Sequence, residues 1–287
     1  MKIRGQRVCQ ACATEWSYYE TGSVACPNCG SLRSVGRDDD RQLHTDTPAA
    51  LSLAQFQAQI AAEPVAEYAA DLKAVLREYT RKRGFINGGE LQPLDDRYLT
   101  ARTLLHTVDI LARRREPTAD AELYLLSLYE TLTDDAAGAA SDAADAETAA
   151  RDVDGGDNGD TAADTETAGT DAVDAVDADD AHSTELTAAQ VPSELREAWG
   201  LAAADAVDAY CSDLRTWLDA TPDAAAATTL SQLRDHVNRL NALQGDVEPA
   251  VATDVVESAR AVGRYLRTGD DDALTAARDR LRRLAQA

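Results

Sequence analysis

The chain has 287 residues, five cysteines and a formal net charge of −23, long enough for one large or two small domains and too acidic for a generic nucleic-acid coat. Its 51 acidic residues comprise 35 Asp and 16 Glu, and among the 28 basic residues only Lys2, Lys73 and Lys82 are lysines, a bias that points to a halophile's cytoplasm, where a strongly negative surface keeps chains soluble. No run approaches the ~18 apolar residues a membrane span needs, and Met1–Val8 is polar and basic with no apolar stretch behind it, so the expectation is a cytoplasmic protein with no membrane partner.

Residues 1–37 carry the strongest chemical signal. Cys9-Gln10-Ala11-Cys12 and Cys26-Pro27-Asn28-Cys29 are two C-x-x-C pairs separated by thirteen residues. Four thiolates suit zinc, which prefers soft ligands in a closed tetrahedron at roughly 2.3 Å, and a two-residue gap lets both sulfurs of a pair reach one metal from a tight turn. Gly30 supplies the positive φ such a knuckle needs, while Ala13 takes the equivalent place in the first knuckle. Between the pairs, Thr14–Tyr19 has strand propensity and Glu20–Ser23 reads as a hairpin turn. One structural Zn2+ held by Cys9, Cys12, Cys26 and Cys29 is therefore expected. A disulfide or redox pair fits an intracellular setting poorly, and a catalytic zinc site would keep an open position and employ His or a carboxylate motif that is missing beside these cysteines.

Residues 38–50 read as a polar linker opening with Asp38-Asp39-Asp40. Residues 51–133 form a helical segment of about three helices. Ser52 with Gln55 resembles a capping box. Pro64 begins a helix whose apolar stripe runs Val65, Tyr68, Ala69, Leu72, Val75, Leu76 and Tyr79, with Gly84 as its C-terminal glycine. A loop Phe85–Leu94 follows. Asp95 or Asp96 caps a second helix with Leu99, Leu104, Leu105, Val108 and Leu111, and after Pro117 a third places Leu123, Leu126, Tyr129 and Leu132 on one side. Over 134–188 the composition changes: Asp134–Glu185 sets 17 acids against the single Arg151, too little apolar surface to offset the roughly 1–2 kcal/mol per residue that ordering a backbone costs, so a disordered acidic insert is expected. No EF-hand spacing occurs there. Residues 189–287 resume the helical pattern in about four helices, punctuated by Pro192, Pro222, Gly245, Pro249, Gly269 and Asp270. The expected fold is mainly α: an N-terminal zinc ribbon of small β structure, then an α-helical bundle split by the insert, with 189–287 packing against 51–133 because three helices alone make a marginal core.

Residues 7–36, through the two knuckles and above all Cys26-Pro27-Asn28-Cys29-Gly30, resemble the zinc ribbon at the amino terminus of archaeal and eukaryotic transcription initiation factor TFIIB, over about a tenth of the chain. Ala13 departs from the glycine usual in that ribbon, and nothing after Leu51 resembles the factor's cyclin-like repeats. The whole chain is similar to a haloarchaeal family of unassigned function that joins such a ribbon to an Ala-rich helical region. The resemblance implies zinc-ligand roles for the four cysteines and a transcription-related role.

Other residues are candidates for partner contact. On the ribbon these are Arg4, Arg7, Trp16, Tyr18, Tyr19 and Arg33, since base stacking on aromatics survives salt, although a ribbon this small also needs Trp16 and one Tyr as its core. In the Gly84–Leu91 loop, Phe85 and Ile86 either dock a partner or fold back onto the bundle. Arg81-Lys82-Arg83, Arg113-Arg114-Arg115 and the arginines between Arg278 and Arg283 sit at helix ends, where they complement the macrodipole; a Debye length of about 3 Å in molar salt weakens the phosphate-binding alternative. Cys211 reads as a small buried hydrophobe. No triad order, dinucleotide fingerprint or phosphate loop is present. The reading is a non-enzymatic, zinc-binding interaction module, contacting a protein partner such as transcription machinery, or nucleic acid; the alternative is an enzyme or small-molecule regulator with a groove in the bundle and a purely structural ribbon.

Overall fold

A computed structural model describes residues 1–133 and 190–286, and the expected disordered insert lies outside the described residues. The fold is mainly helical with small N-terminal sheets. At the amino end, β2 (Gln6–Cys9) is the centre of a three-stranded antiparallel sheet, with β3 (Glu15–Ser17) on one side in the register Arg7 opposite Trp16, and β4 (Ser34–Gly36) on the other, Val8 opposite Val35. The strand expected over 14–19 ends at Ser17. Tyr18–Thr21 instead make a single helical turn, α1, closed by Gly22 at φ +62, whose N–H donates to the Tyr18 carbonyl. The Thr21 hydroxyl donates to the Ser17 carbonyl and stabilises that turn over a hairpin.

Residues 38–50 are an ordered strap, not a free linker. The Asp38 carboxylate accepts the N–H groups of Gly5 and Gln6, and β5 (Gln42–Leu43) pairs with β1 (Lys2–Ile3). The next residues dock on the bundle: the Thr45 N–H donates to the Ile86 carbonyl, and Asp46, only 6% exposed, accepts the Gly84 N–H at 2.8 Å and pairs with Arg83. This passage explains Gly84. The preceding helix ends at Arg83 in an extended conformation, and Gly84 is not the left-handed stop that the sequence suggests; any Cβ there would collide with the backbone of Thr45 and Asp46. The residues expected as a loop form a hairpin, β6 (Ile86–Asn87) with β7 (Glu90–Leu91), turned by Gly88 and Gly89 at φ +57 and +90, as a primed two-residue turn requires. Two-residue strands are too short to show a period, which is why β5, β6 and β7 were illegible.

The helices are α2 (Gln57–Ala62), α3 (Val65–Lys82), α4 (Asp96–Leu111), α5 (119–133), α6 (Arg196–Ala220), α7 (Ala224–Ala242), α8 (Pro249–Thr268) and α9 (Asp271–Leu284). Asp95 caps α4 through the Tyr98 N–H at 2.7 Å, Asp223 caps α7 and Asp270 caps α9, each satisfying a donor that the helix start leaves open. The capping box at Ser52 does not form; a 3-10 turn over Ala54–Phe56 begins at Leu53 with no side-chain cap. On α5 the buried face is Tyr124, Leu125, Leu128, Tyr129 and Leu132, while Leu123 is 63% exposed. Of the expected stripe, Tyr129 and Leu132 are buried, Leu126 is half-buried and Leu123 faces out, because Leu123–Leu126 is continuously apolar and carries no phase; the Tyr129 hydroxyl, donating to the Leu53 carbonyl, fixes the rotation.

Helices from both sides of the insert share a core. α4 packs against α3 and α6, and α6 in turn against α7 and α8, so α6 is buried around much of its circumference: Ala202, Ala203, Ala204, Ala206, Val207, Tyr210, Cys211 and Leu214 are all at 0% exposure. Its alanines let neighbours approach closely. At Gly200 the contact is backbone to backbone, since a Cβ would strike the Gly245 carbonyl oxygen. Burial pushes the Cys211 thiol up to about 12, the state of an inert apolar residue. Phe85 and Ile86, candidates for partner contact, are 1% and 0% exposed and belong to this core.

Candidate metal centre

Two knuckles with the same wiring position the four cysteines. In the first, the Cys9 N–H donates to the Thr14 carbonyl at 2.9 Å and the Cys9 carbonyl accepts the Ala13 N–H at 3.0 Å; in the second, the Cys26 N–H donates to Ser31 and its carbonyl accepts the Gly30 N–H, both at 2.9 Å. Each knuckle needs a left-handed residue four positions after its first cysteine, supplied by Ala13 at φ +61 and Gly30 at φ +70. Glycine adopts that conformation freely, whereas an L-residue loses roughly 1–2 kcal/mol. Ala13→Gly should therefore strengthen the ribbon by about 0.5–1 kcal/mol, after glycine's own entropy loss, and slow metal transfer to a colorimetric chelator about two- to fivefold; unchanged or faster transfer would contradict the strain argument.

The four sulfurs lie within 4.8 Å of one another, with Cys9 to Cys29 at 3.6 Å, Cys12 to Cys26 at 3.5 Å and Cys12 to Cys29 at 3.4 Å. All are free thiols. A tetrahedron with 2.3 Å metal–sulfur bonds has edges of roughly 3.8 Å, so the quartet is close to the size of one ion's ligand shell. The Ala11 N–H donates to the Cys9 sulfur at 3.4 Å, and the Asn28 amide reaches both the Cys12 sulfur and the Thr14 hydroxyl, outer contacts that orient ligands and spread thiolate charge. The Thr14 hydroxyl and backbone hold Cys12 down to about 6. Cys29 is pushed up to about 12: the Ser31 backbone acts to lower it, but the other cysteines and burial outweigh that. Crowded sulfurs compete for protons, and a cation among them would favour the thiolate at every position. Four such donors fit a closed metal site with no vacant position for a substrate.

The ribbon's own core is Cys9, Trp16 and Cys26. Trp16 is 7% exposed and its Nε1–H donates to the Ser23 carbonyl, so it is not available for base stacking. Tyr18 and Tyr19 face the strap, their rings 5.9 and 4.9 Å from that of His44, and the Tyr19 hydroxyl donates to the Ile3 carbonyl. Arg7 is half-buried and donates to Ser34. Arg4 and Arg33 stay exposed. Beside them are apolar side chains that periodicity did not mark: Leu32 is 73% exposed, Val24 44% and Val35 43%. Val35 lies on β4, Leu32 two residues before that strand, and Val24 in the loop whose carbonyl accepts the Ser34 hydroxyl. The two basic clusters that end α3 and α4 are partly engaged in ion pairs: Arg83 joins Asp46 and Asp95, Lys82 pairs with Glu78, Arg113 with Asp109, and Arg114 with Glu194. Among the described residues no helix is long and apolar enough to cross a membrane.

A family model described as a family of unknown function (DUF7117) matches residues 1–161 and 160–281. No curated protein matches the chain, and no solved structure does.

Proposed function

We propose that this chain, which belongs to that family of unknown function, is a zinc-binding, non-enzymatic interaction module whose ribbon contacts a protein partner. The supporting observation is the pairing of a four-cysteine shell with three exposed large apolar side chains, Val24, Leu32 and Val35, in the same small ribbon. A closed shell offers no open position for chemistry. Three large apolar side chains exposed on a fold this small lower its solubility, and a contact surface accounts for them. The zinc assignment rests on the all-sulfur donor set. The transcription-related role rests on the resemblance of residues 7–36 to the TFIIB ribbon, a likeness of fold that specifies no partner.

The test is affinity capture of the tagged full chain from its own cells in molar KCl, with and without nuclease, beside Cys26→Ser and a Leu32→Asp, Val35→Asp double variant. Transcription components recovered with the wild type and lost with both variants, insensitive to nuclease, are the expected result. Components that persist with the double variant would remove Leu32 and Val35 from recognition, and losses caused by nuclease would transfer the contact to nucleic acid.

A further inference from the structure

The groove between α7 and α9, remote in sequence from the metal centre, encloses about 590 Å³ and is lined by Arg239, Arg278, Arg282, His236, Gln232 and Leu281, with Asp235 as the one carboxylate on its wall. Three guanidiniums converge here in a chain whose net charge is −23. Elsewhere among the described residues, guanidiniums such as Arg83, Arg102, Arg114 and Arg260 lie against carboxylates. The contacts of Arg239 and Arg278 are different. The Arg278 Nε donates to the Thr229 hydroxyl and its Nη2 to the Ala225 carbonyl, both at 3.0 Å, while the Arg239 Nη1 donates to the Leu284 carbonyl at 3.2 Å. These bonds hold the two side chains in place without neutralising them. Thr229 is itself at 0% exposure and also donates to Ala225, so the clasp on Arg278 is built into the helix packing. Burial lowers the titration of His236 from its ordinary value, which leaves it a neutral donor or acceptor at the groove. Only Arg282 is held by an acid, Asp279, and that pair is on the open side at 67% and 49% exposure, where ion pairs contribute little.

We propose that this groove is a binding site for a small molecule bearing phosphate groups. Positioned guanidiniums whose direct partners are neutral oxygens, as at Arg239 and Arg278, can bind phosphate through paired N–H donors. Such contacts are made at hydrogen-bond range, within a Debye length even in molar salt, which answers the screening argument against diffuse phosphate attraction. The volume is in the range of about 300–1,000 Å³ typical of ligand sites, and Leu281 and Ala285 offer an apolar wall beside the cationic one.

Isothermal titration of the full chain with pyrophosphate, and separately with ATP, in molar KCl tests this. A saturable one-to-one isotherm is expected. Equal affinities would identify the phosphates alone as the recognised part, and tighter ATP binding would identify a nucleotide held against the apolar wall. Arg239→Gln and Arg282→Gln should each weaken binding about tenfold, the effect of losing one charge-assisted contact, while Arg215→Gln in the neighbouring groove should leave it unchanged. Because Arg239 also contacts the end of α9, the exposed Arg282→Gln and Arg282→Glu decide the matter if that variant loses its helicity. Absence of a saturable isotherm with either probe, or an affinity indifferent to Arg282, would overturn the proposal.

Discussion

Cys26→Ser should strip the metal and unfold residues 6–37 while leaving nearly all of the helical circular dichroism in place. The ribbon's buried apolar set is Cys9, Trp16 and Cys26, of which two belong to the four-cysteine cluster, so on the proposed zinc reading removing one sulfur removes both a bond to the ion and part of that core. Structural zinc contributes on the order of 10–16 kcal/mol to small sulfur-rich sites at neutral pH, and that energy is folding energy. The bundle has its own separate core and should keep its fold without the ion. Mass spectrometry of the wild type should give one zinc per chain, and the variant should give close to none, with new proteolytic cuts before Asp38. Acidification should have the same effect, since protons compete with the metal for thiolates. A wild-type sample that stays protected from protease after chelation would show that the ribbon folds without an ion.

The second large effect belongs to Phe85. Its ring meets Tyr98 at 5.1 Å and Tyr210 at 4.8 Å, both edge-on, and its N–H donates to the Asp213 carboxylate at 2.6 Å. Truncating a buried phenylalanine costs about 3–5 kcal/mol through lost transfer energy and the cavity left behind, and edge-to-face pairs add about 0.5–1.5 kcal/mol beyond area. Phe85→Ala should therefore lower the denaturant midpoint of the bundle sharply. Leu32→Asp, at an exposed position, should stay within about 0.5 kcal/mol of the wild type. If the two variants were equally stable, Phe85 would not be a core residue.

How much of this the chain announced depends on the kind of signal. The cluster of Cys9, Cys12, Cys26 and Cys29 is legible because a metal site demands a residue type at a spacing, and the stripes of α3 and α4 because their large apolar residues recur at spacings of three and four, although the buried threonines on the other sides of α4 carry no such signal. In α5 the positions of Tyr129 and Leu132 are legible, but Leu123 is not, because Leu123–Leu126 is apolar without a break. The strap was read as a tether because its structure comes from single long-range partners: Asp46 with Arg83 and Gly84, and Thr45 with the Asp213 carboxylate, 168 positions away. No local pattern encodes a pairing across that distance. For the same reason the groove at Arg239 and Arg278 was invisible: the sequence shows arginines near helix ends, and only packing shows which oxygens they meet.

The strap also sets what the ribbon can do mechanically. A zinc ribbon on a loose tether samples many directions, and a partner touching both ribbon and bundle must wait for the two to align, with an effective concentration set by the tether. Here Thr45, Asp46 and the β1–β5 pair fix the heading of the sheet before any encounter. Rotational freedom that a tethered ribbon would surrender on docking has already been given up in folding, so a two-point contact forms with less entropic loss. Thr45→Val with Asp46→Ala, which removes the side-chain anchors of the strap, should loosen that heading and weaken any partner that engages both surfaces, without altering Val24, Leu32 or Val35.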